Sequence, residues 1–230
     1  MIADGRYRNE LKYSVSYADY LALRQRLLPI MKTDGHTLAD GRYTVRSIYF
    51  DNLNDKVLRE KTDGVSKREK FRIRYYNDDF SFITLEKKMK YNNLCMKLDA
   101  RLTEEECRMI LDGRLDFMLT HSEPLVRELY TKMKCSGLRP RVLVSYTREP
   151  YIFAAGNVRV TFDFDIRTTL WHNVFLEQQV HDIGAADAPG QIILEIKYDD
   201  YLPDIIRDLV QSESERQQAF SKYCAARRFG

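Results

Sequence analysis

The sequence lacks the features that mark membrane-spanning and secreted proteins. None of its apolar runs approaches the ~20 residues that a membrane-spanning helix needs, and no signal-peptide pattern precedes the first strand-like segment. Its four cysteines show neither CxxC nor zinc-type spacing, so we expect reduced thiols. Composition therefore predicts a soluble, cytoplasmic protein. A position at the inner face of the membrane would require a separate membrane partner protein, which this sequence does not show.

The signatures of familiar enzymes are missing as well. There is no GxxxxGK(S/T) or GxGxxG loop, no HExxH and no GxSxG sequence. The four histidines are dispersed, and none has the spacing of a catalytic triad or of a metal-ligand pair. A net charge of +3 is too small for an indiscriminate nucleic-acid coat, so we predict no nucleic-acid partner. Any affinity for anions must come from where the charges lie.

No linker rich in proline, serine or glycine divides the chain, which predicts a single domain over residues 1–230. Strand-like segments with helical segments between them predict an antiparallel α+β fold. The strand candidates are 6–15, 42–51, 67–77, 80–89, 94–102, 138–149, 157–167, 170–180 and 190–198. The helix candidates are about 17–29, 103–112 and 123–134, then a C-terminal region from Pro203 and a last helix opened by a Ser212-x-x-Glu215 box.

The chain does contain a repeated pattern of charged residues two apart within these strand-like segments. Because residues two apart share one face of a strand, Arg72 and Arg74 lie on one side while Phe71 and Ile73 lie on the other. The pattern recurs in RNELKYSV, ITLEKK, VRVTFDFD and IILEIKY. The sequence therefore predicts a sheet with one apolar face and one densely charged face.

Two interpretations of the charged face are open. It can lie in water, as in many antiparallel sheets. Alternatively, the sheet curls and the charged face lines a tunnel, where crowded cations repel each other unless an anion joins them. Solvated faces usually mix neutral polar residues with charge, whereas Arg and Lys recur here at matched positions in several strands. That recurrence favours a tunnel that binds a polyanion.

Arginine, lysine and glutamate carry the chemistry that this pattern predicts. Arginine binds phosphate oxygens in pairs and lysine supplies a point charge. Phosphoryl transfer mainly requires positioning and charge neutralisation, which these residues can supply together with a divalent cation. Mg²⁺ and Mn²⁺ prefer oxygen ligands, so Glu10, Glu86 and Glu195 are candidates. A cross-strand ion pair is the alternative for Glu195 beside Lys197.

Some other residues are predicted to lie outside the charged face, and for one the position on its strand is undecided. Lys67, Arg68 and Lys87 are placed on the outer face or in loops. Tyr146, near a strand end, is a candidate for stacking on a nucleotide base. Arg148 breaks the alternation set by Arg141 and Ser145, so either a bulge intervenes or the strand ends at Tyr146.

The order of these segments resembles the VTC, or polyphosphate-polymerase, domain of the triphosphate tunnel metalloenzyme (CYTH-like) superfamily. The likeness spans nearly the whole chain. It consists of ELKY at 10–13, SIYFDN at 47–52, KFRIRYY at 70–76, LEKK at 85–88, LRPRVLVSYTREPY at 138–151, VRVTFD at 158–163, LEIKY at 194–198 and FSKYC at 220–224. It implies an α+β fold in which an antiparallel eight-stranded β tunnel barrel is capped by helices. It also implies transfer of the terminal phosphoryl group of ATP onto polyphosphate, with Mn²⁺ or Mg²⁺.

The resemblance, together with the strand pattern, gives a set of candidate site residues. The candidates for catalysis are Lys12, Arg72, Arg74, Lys88, Arg148, Arg159 and Lys222. The candidates for substrate binding are Arg8, Lys97, Tyr146 and Ser221, and those for metal binding are Glu195 and Glu10. Hydrolytic and cyclase relatives begin with ExExK, in which Arg8 replaces the first Glu here. That replacement removes a metal ligand, adds positive charge and favours a long polyanion.

The leading hypothesis is therefore a phosphotransferase, a polyphosphate polymerase whose partners are ATP and inorganic polyphosphate. Two alternatives share the tunnel. One is an inorganic triphosphatase, and the other is a polyphosphate-binding module without catalysis.

Overall fold

The fold is built on one antiparallel sheet with helices on its outer face. The computed structural model describes residues 7–35, 37–91, 94–178, 180–184, 190–211, the backbone of 216–217, and 220–227. The strands are β1 (Asn9–Val15), β2 (Lys32–Thr33), β3 (Tyr43–Asp51), β4 (Lys67–Tyr76), β5 (Asp79–Tyr91), β6 (Leu94–Leu102), β7 (Arg139–Phe153), β8 (Val158–Thr169), β9 (Ile183–Gly184), β10 (Ile192–Tyr198) and β11 (Arg216–Gln217). The helices are α1 (Tyr17–Leu27), α2 (Lys56–Thr62), α3 (Glu104–Leu111), α4 (Pro124–Ser136), α5 (Asp204–Val210) and α6 (Lys222–Arg227).

The predicted α+β class is confirmed, but the closed eight-stranded barrel is not. The strands follow the order β11-β1-β10-β8-β7-β3-β4-β5-β6, with β2 beside β7 and β9 beside β8. The two ends of the row of long strands, β1 and β6, meet only through a bridge between Arg8 and Cys95, with N–H to carbonyl distances of 3.0 and 3.3 Å. Within the described ranges no ladder joins β1 to β6. Tyr13 and Ser14 of β1 pair with β11.

The predicted division into a charged and an apolar face is confirmed. The apolar residues of β4, among them Phe71 and Ile73, pack under α3 and α4 in one core. Those of β8 and β10, such as Val160 and Leu194, pack under α1 and α5 in a second core. Apolar side chains therefore lie on the outer, helix-covered side of the curled sheet, and the charged side chains face inward.

The helix start predicted at Ser16 and the Thr103-x-x-Glu106 capping box predicted for 103–112 both agree with the structure. Ser16 and Asp19 cap α1 reciprocally, and Thr103 and Glu106 do the same for α3. Ser122, predicted as the cap of α4, is not its N-cap, because that helix begins one residue later, after Glu123, with proline in its first turn.

The prediction of a strand over 170–180 is wrong. Residues His172–Leu176 form a 3₁₀ helix in which the consecutive residues Phe175 and Leu176 are both buried. Strand alternation would bury only one of them. Phe175 packs against the ring of Tyr75 at 4.9 Å between centroids, and its carbonyl accepts a hydrogen bond from the Tyr75 hydroxyl.

Two further elements differ from expectation. The strand β7 does not end at Tyr146 but runs to Phe153, and its pairing with β8 shifts register between Ser145 and Thr147. That irregularity is the predicted bulge alternative. The helix α2 was not predicted. The Ser212-x-x-Glu215 box lies outside the described residues, and the last described helix, α6, begins at Lys222.

The C-terminal helix α6 lies against the inner face of the sheet. Its Tyr223 and Ala226 pack with a third, smaller cluster that includes Tyr49, Val144 and Tyr146. This helix therefore fills part of the space that the curled sheet encloses. None of the helices in the described part of the chain is long and apolar enough to cross a membrane.

Candidate functional site

Two glutamates and two lysines alternate across the ladder between β1 and β10. Glu10 lies opposite Lys197, and Lys12 lies opposite Glu195. The Lys12 ammonium is 2.8 Å from Glu10 and 4.0 Å from Glu195, while Lys197 and Arg148 approach Glu195 to 2.8 and 3.4 Å. Burial raises the pKa of both carboxyls, but the surrounding cations outweigh it and hold each pKa well below its usual range. Both glutamates are therefore ionised at neutral pH.

A third carboxylate, Glu86, forms ion pairs with the arginines of β4. Arg72 donates from Nε to Glu86 at 2.6 Å, and Arg74 and Lys97 lie 3.5 and 3.4 Å from the other carboxylate oxygen. Burial opposes the ionisation of Glu86, yet the positive charges of Arg72, Arg74 and Lys97 hold its pKa well below the usual range. Arg74 also donates to the Tyr146 hydroxyl at 3.1 Å. These contacts fix the two arginines before any ligand binds.

The fourth carboxylate, Asp163, connects β7, β8 and α6. Arg148 donates to it from Nε and Nη2 at 2.6 and 2.8 Å, and Lys222 donates from α6 at 2.5 Å. The same ammonium lies 4.5 Å from the centre of the Tyr146 ring. Burial raises the pKa of Asp163, and Arg148 and Lys222 more than reverse this. Lys222 is therefore held on the inner face by charge as well as by packing.

A cavity of about 550 Å³ opens on the inner face, where α2 and α6 meet β1, β4 and β5. Four of the predicted site residues line it: Glu10, Lys12, Lys88 and Ser221. Six others lie on the inner face but do not line this cavity: Arg72, Arg74, Tyr146, Arg148, Glu195 and Lys222. The sequence-predicted site is thus divided between a cavity wall and a buried ionic network beside it.

Three further predicted site cations do not line this cavity. Arg8 forms an ion pair with Asp199 at 2.7 Å. Arg159 is held by Asp34 and by the Tyr43 hydroxyl, the latter at 2.9 Å. Lys97 is half exposed, contacts Glu86 and Asp99, and lies directly opposite Lys88 in the ladder between β5 and β6. The structure therefore places Lys97 beside Lys88, whereas Arg8 and Arg159 are held by carboxylates outside the cavity.

Four cations that line the cavity were missing from the predicted site: Lys61, Arg68, Lys70 and Lys90. The placement of Arg68 on the outer face or in a loop was wrong, because Arg68 lies on β4 two residues from Lys70 and shares its face. Continued alternation identifies Arg68 and Lys90 from sequence. Lys61 gave no such signal, since it belongs to α2, a helix that was not predicted.

Like charges face each other across the cavity wall. In the ladder between β4 and β5, Lys70 lies directly opposite Lys88, and Arg68 lies directly opposite Lys90. Such pairs destabilise a sheet. Lys88 pairs with Glu10, but over the described residues no carboxylate forms an ion pair with Lys70, Arg68 or Lys90. The cavity therefore carries positive charge that the described part of the chain does not neutralise.

Lys70 and Tyr49 titrate abnormally because of this surplus charge. Burial lowers the pKa of Lys70 to about 8, and the nearby ammonium groups of Lys88 and Lys12 contribute in the same direction. Burial raises the pKa of the Tyr49 hydroxyl, but Arg72 and Lys70 outweigh this and bring it to about 7. Arg72 donates to the Tyr49 hydroxyl at 3.0 Å. An anion in the cavity would change the protonation of both groups.

The chemistry of Glu10 and Glu195 fits a divalent cation that also binds substrate. Mg²⁺ is usually held by one or two carboxylates together with substrate phosphates, not by an all-protein cage. In the described part of the chain no three His, Cys, Asp or Glu side chains form a metal-binding group, and these two carboxylates match the smaller donor set. Thr161, opposite Glu195 across the ladder with β8, has a buried hydroxyl without a hydrogen-bond partner within the described chain. The carboxylate oxygens are engaged by Lys12, Lys88, Lys197 and Arg148, so a hydrated ion would have to displace some of these cations.

Comparison with known proteins gives one family and a shared fold. No curated protein matches the sequence. A Hippeastrum protein provisionally named an adenylyl cyclase, and described as having a dominant triphosphatase activity, is 12% identical with a TM-score of 0.56 over 96% of each chain. A Bacillus halodurans protein provisionally named an adenylate cyclase is 14% identical with a TM-score of 0.50, over 84% of this chain and 80% of that one. At these identities the likeness concerns the fold alone. Since the VTC domain matches residues 7–229, the chain belongs to the VTC domain family.

Proposed function

We propose that this chain is a polyphosphate polymerase that transfers the γ-phosphoryl group of ATP onto inorganic polyphosphate. The observation that carries the proposal is the cavity wall on which Lys70 faces Lys88 and Arg68 faces Lys90. Crowded cations of this kind are stabilised by an anion with several charges. Membership of the VTC domain family supports a phosphate chain as that anion.

The buried network supports transfer by positioning and charge neutralisation. Arg72, Arg74 and Arg148 are held by carboxylates before substrate binds, so they need little reorganisation when charge develops. Lys12 and Lys88 share Glu10 and line the cavity, where a phosphate chain competes for them. A terminal oxygen of the polymer attacks the γ-phosphorus of ATP, the bond to the bridging oxygen breaks, and ADP leaves. The attacking oxygen is already ionised, so the reaction requires no protein nucleophile.

Glu10 and Glu195 are the residues that would hold a divalent cation, Mn²⁺ or Mg²⁺. When bound, such an ion neutralises phosphoryl oxygens as a Lewis acid. Lys12 lies between the two carboxylates in the structure, 2.8 and 4.0 Å from them. Its ammonium thus keeps both groups ionised and ready to bind a cation, and it would turn toward the phosphates when the ion binds.

A triphosphatase is the second candidate, because the fold matches over 96% of its length a protein described as having that activity. A hydrolase activates water either with a general base whose pKa lies near the working pH or with a bound divalent cation. The neighbouring cations hold the pKa values of Glu10 and Glu195 well below that range, so neither glutamate is suited to act as the general base. Transfer to polyphosphate needs no such base, because the acceptor oxygen is already ionised.

The products formed from ATP distinguish these functions. The purified protein with ATP and Mn²⁺ is expected to make long phosphate polymers, resolved on a gel. Orthophosphate without polymer would establish a triphosphatase, and binding of polyphosphate without turnover a binding module. Glu195→Gln should lower turnover by about 100-fold or more through loss of the metal, while tripolyphosphate binding persists.

Glu104→Gln is the matched control, since Glu104 is exposed on α3 and pairs only with Arg108. Its activity is expected to equal that of the wild type. Unchanged turnover in Glu195→Gln would refute the role of Glu195 in metal binding.

A further inference from the structure

Three planar side chains lie together on the inner face of β4, β5 and β6, and we call this group the aromatic rim: Tyr76, Phe82 and Arg101. The ring centroids of Tyr76 and Phe82 are 6.5 Å apart. The guanidinium carbon of Arg101 lies 3.5 Å from the centre of the Phe82 ring, and Arg101 donates to the Ser81 carbonyl at 3.1 Å. None of the three lines the cavity, which lies at the other ends of the same strands.

Phe82 occupies an inner-face position at which the neighbouring residues of its strand are polar. Phe82, Thr84 and Glu86 are two apart on β5 and so share one face. Thr84 and Glu86 are buried, but about half of Phe82 is exposed (49%), and it belongs to none of the three core clusters of the described residues. Core packing therefore does not account for an aromatic ring at this position.

The aromatic rim is connected to the buried ionic network through Tyr76. Arg74, which pairs with Glu86, donates to the Tyr76 hydroxyl at 3.4 Å. In the ladder Arg74 lies opposite Thr84, and Phe82 is two residues nearer the start of β5, which is a distance of about 7 Å. A ribose can bridge such a distance between a triphosphate and its base. A nucleotide whose phosphates contact Arg74 therefore has its base within reach of Phe82.

Tyr146, the candidate from the sequence for stacking on a base, is buried among cations. The Lys222 ammonium and the Arg148 guanidinium lie 4.5 and 5.2 Å from the centre of its ring. Arg74 donates to its hydroxyl at 3.1 Å. The Tyr146 ring is thus engaged within the protein, whereas the Phe82 ring is open to a ligand.

We propose that the aromatic rim binds the base of a nucleoside triphosphate, an inference that deepens the proposed function and rests on it. Bases stack on aromatic rings and on arginine guanidinium planes, and a purine offers the larger surface for stacking. A base on Phe82 and Arg101 places the phosphates beside Arg74 and directs the γ-phosphate along β4 toward Lys70. The base thus lies at one end of the inner face, and the γ-phosphate points toward the cavity.

Two ligands that share a triphosphate test the aromatic rim, because ATP has a base and tripolyphosphate has none. Titration calorimetry without metal compares them on the full chain and on Phe82→Ala. The variant is expected to bind ATP about tenfold more weakly and tripolyphosphate within about twofold of the wild type. Phe82→Trp should retain the affinity for ATP, whereas Phe82→Leu, which is apolar but has no ring, should bind ATP as weakly as Phe82→Ala. The affinity for UTP should fall less than that for ATP, since a pyrimidine stacks over a smaller area.

Trp171→Ala is the matched control, because Trp171 is an exposed aromatic residue that follows β8 and lies outside the aromatic rim. Its affinities for ATP and tripolyphosphate should equal those of the wild type. Thermal melting without ligand should show Phe82→Ala to be about as stable as the wild type, since the Phe82 ring is half exposed.

Three results would overturn the assignment of the aromatic rim to the base. Equal weakening of ATP and tripolyphosphate binding by Phe82→Ala would show that the ring acts through the residues that bind phosphate. Unchanged affinity for ATP would show that the base lies elsewhere. Full affinity for ATP in Phe82→Leu would show that the site needs apolar volume and not a stacking ring.

The aromatic rim and the polymerase fail in different measurements. If ATP yields no polymer while Phe82→Ala still loses affinity for ATP alone, the polymerase proposal falls and the base site stands. If polymer forms and Phe82→Ala binds ATP as tightly as the wild type, the base site falls and the polymerase stands.

Discussion

Lys70 is the cavity residue whose protonation depends most directly on what the cavity contains. It is half-buried opposite Lys88, and none of the carboxylates that the structure describes pairs with it. Burial and neighbouring cations bring its pKa to about 8. A bound anion stabilises the charged ammonium and so raises that pKa. The occupied cavity is therefore expected to hold more protons than the empty one near pH 8.

Binding of tripolyphosphate should accordingly take up protons at pH 8, and affinity should fall as pH rises through about 8, where the free lysine loses its charge. Calorimetry in buffers of different ionisation enthalpy measures the uptake. Lys70→Met should take up fewer protons than the wild type. A binding heat that is the same in every buffer would contradict this.

At the scale of single residues, the alternation of charged positions predicted part of the inner face from sequence and could have predicted more. Arg72, Arg74 and Lys88 were assigned to the inner face because charge recurs every second residue, and they lie there. The same rule, extended by one step, would have assigned Arg68 and Lys90. The ion-pair partners of the inner-face residues could not be predicted from sequence, because pairs such as Arg72 and Glu86 lie opposite each other only in the register of the folded hairpin.

At the scale of elements, Asp51 at the end of β3 joins α2 to α6. Its fully buried carboxylate accepts hydrogen bonds from the backbone N–H groups of Val57 and Leu58 at 2.9 and 3.2 Å, and from the Tyr223 hydroxyl at 2.5 Å. Both helices contribute residues to the cavity wall. Asp51 thus anchors α2 and α6, which form part of the cavity wall, to the sheet.

Asp51→Asn is expected to lower the free energy of unfolding by about 1–3 kcal/mol, because an amide N–H₂ then faces N–H donors. Urea denaturation measures the loss, and hydrogen exchange should quicken in α2 and α6 first. Tyr223→Phe is the matched comparison, which removes one of these bonds and should cost about 1 kcal/mol. Equal effects of the two variants would show that the caps on α2 contribute nothing.

Elements differ in how strongly their own sequence specifies them. The helices α1 and α3 carry reciprocal caps within four residues, so their starts followed from local sequence. The helix α2 lacks a side-chain cap of its own, and its first N–H groups are satisfied by Asp51 from the neighbouring strand. The segment at 170–180 resembled a strand, but burial of Phe175 against Tyr75 makes it a turn of helix. Contacts with other parts of the fold therefore determine the structure of both α2 and the segment 170–180.

The whole molecule has an excess of cations on its inner wall although its net charge is only +3. Repulsion between these cations destabilises the free protein, and a bound phosphate chain removes that cost. Melting temperature should therefore rise with tripolyphosphate, by a stabilisation of about 2.7 kcal/mol at a concentration one hundred times the dissociation constant. Scanning calorimetry measures this.

Sodium chloride should raise the melting temperature of the free protein and reduce the increase that tripolyphosphate causes. Screening stabilises the ligand-free protein and weakens the effect of tripolyphosphate. Lys70→Met should gain less from salt than the wild type does, since it has lost one of the repelling charges. A free protein that salt destabilises would show that repulsion in the cavity is not a dominant cost.

The sequence by itself determined the two faces of the sheet, the α+β class and the family, because alternation and short segments are local properties of the chain. Only the tertiary structure decided which cations are neutralised. Lys12 meets Glu195 across strands far apart in sequence, and Arg148 meets Asp163 through the register of the hairpin of β7 and β8, whereas Arg68 meets Lys90 and is left with like charge. Among the described residues no ladder joins β1 to β6, so the sheet stays open. Register between paired strands sets which charges meet, and no local pattern encodes it.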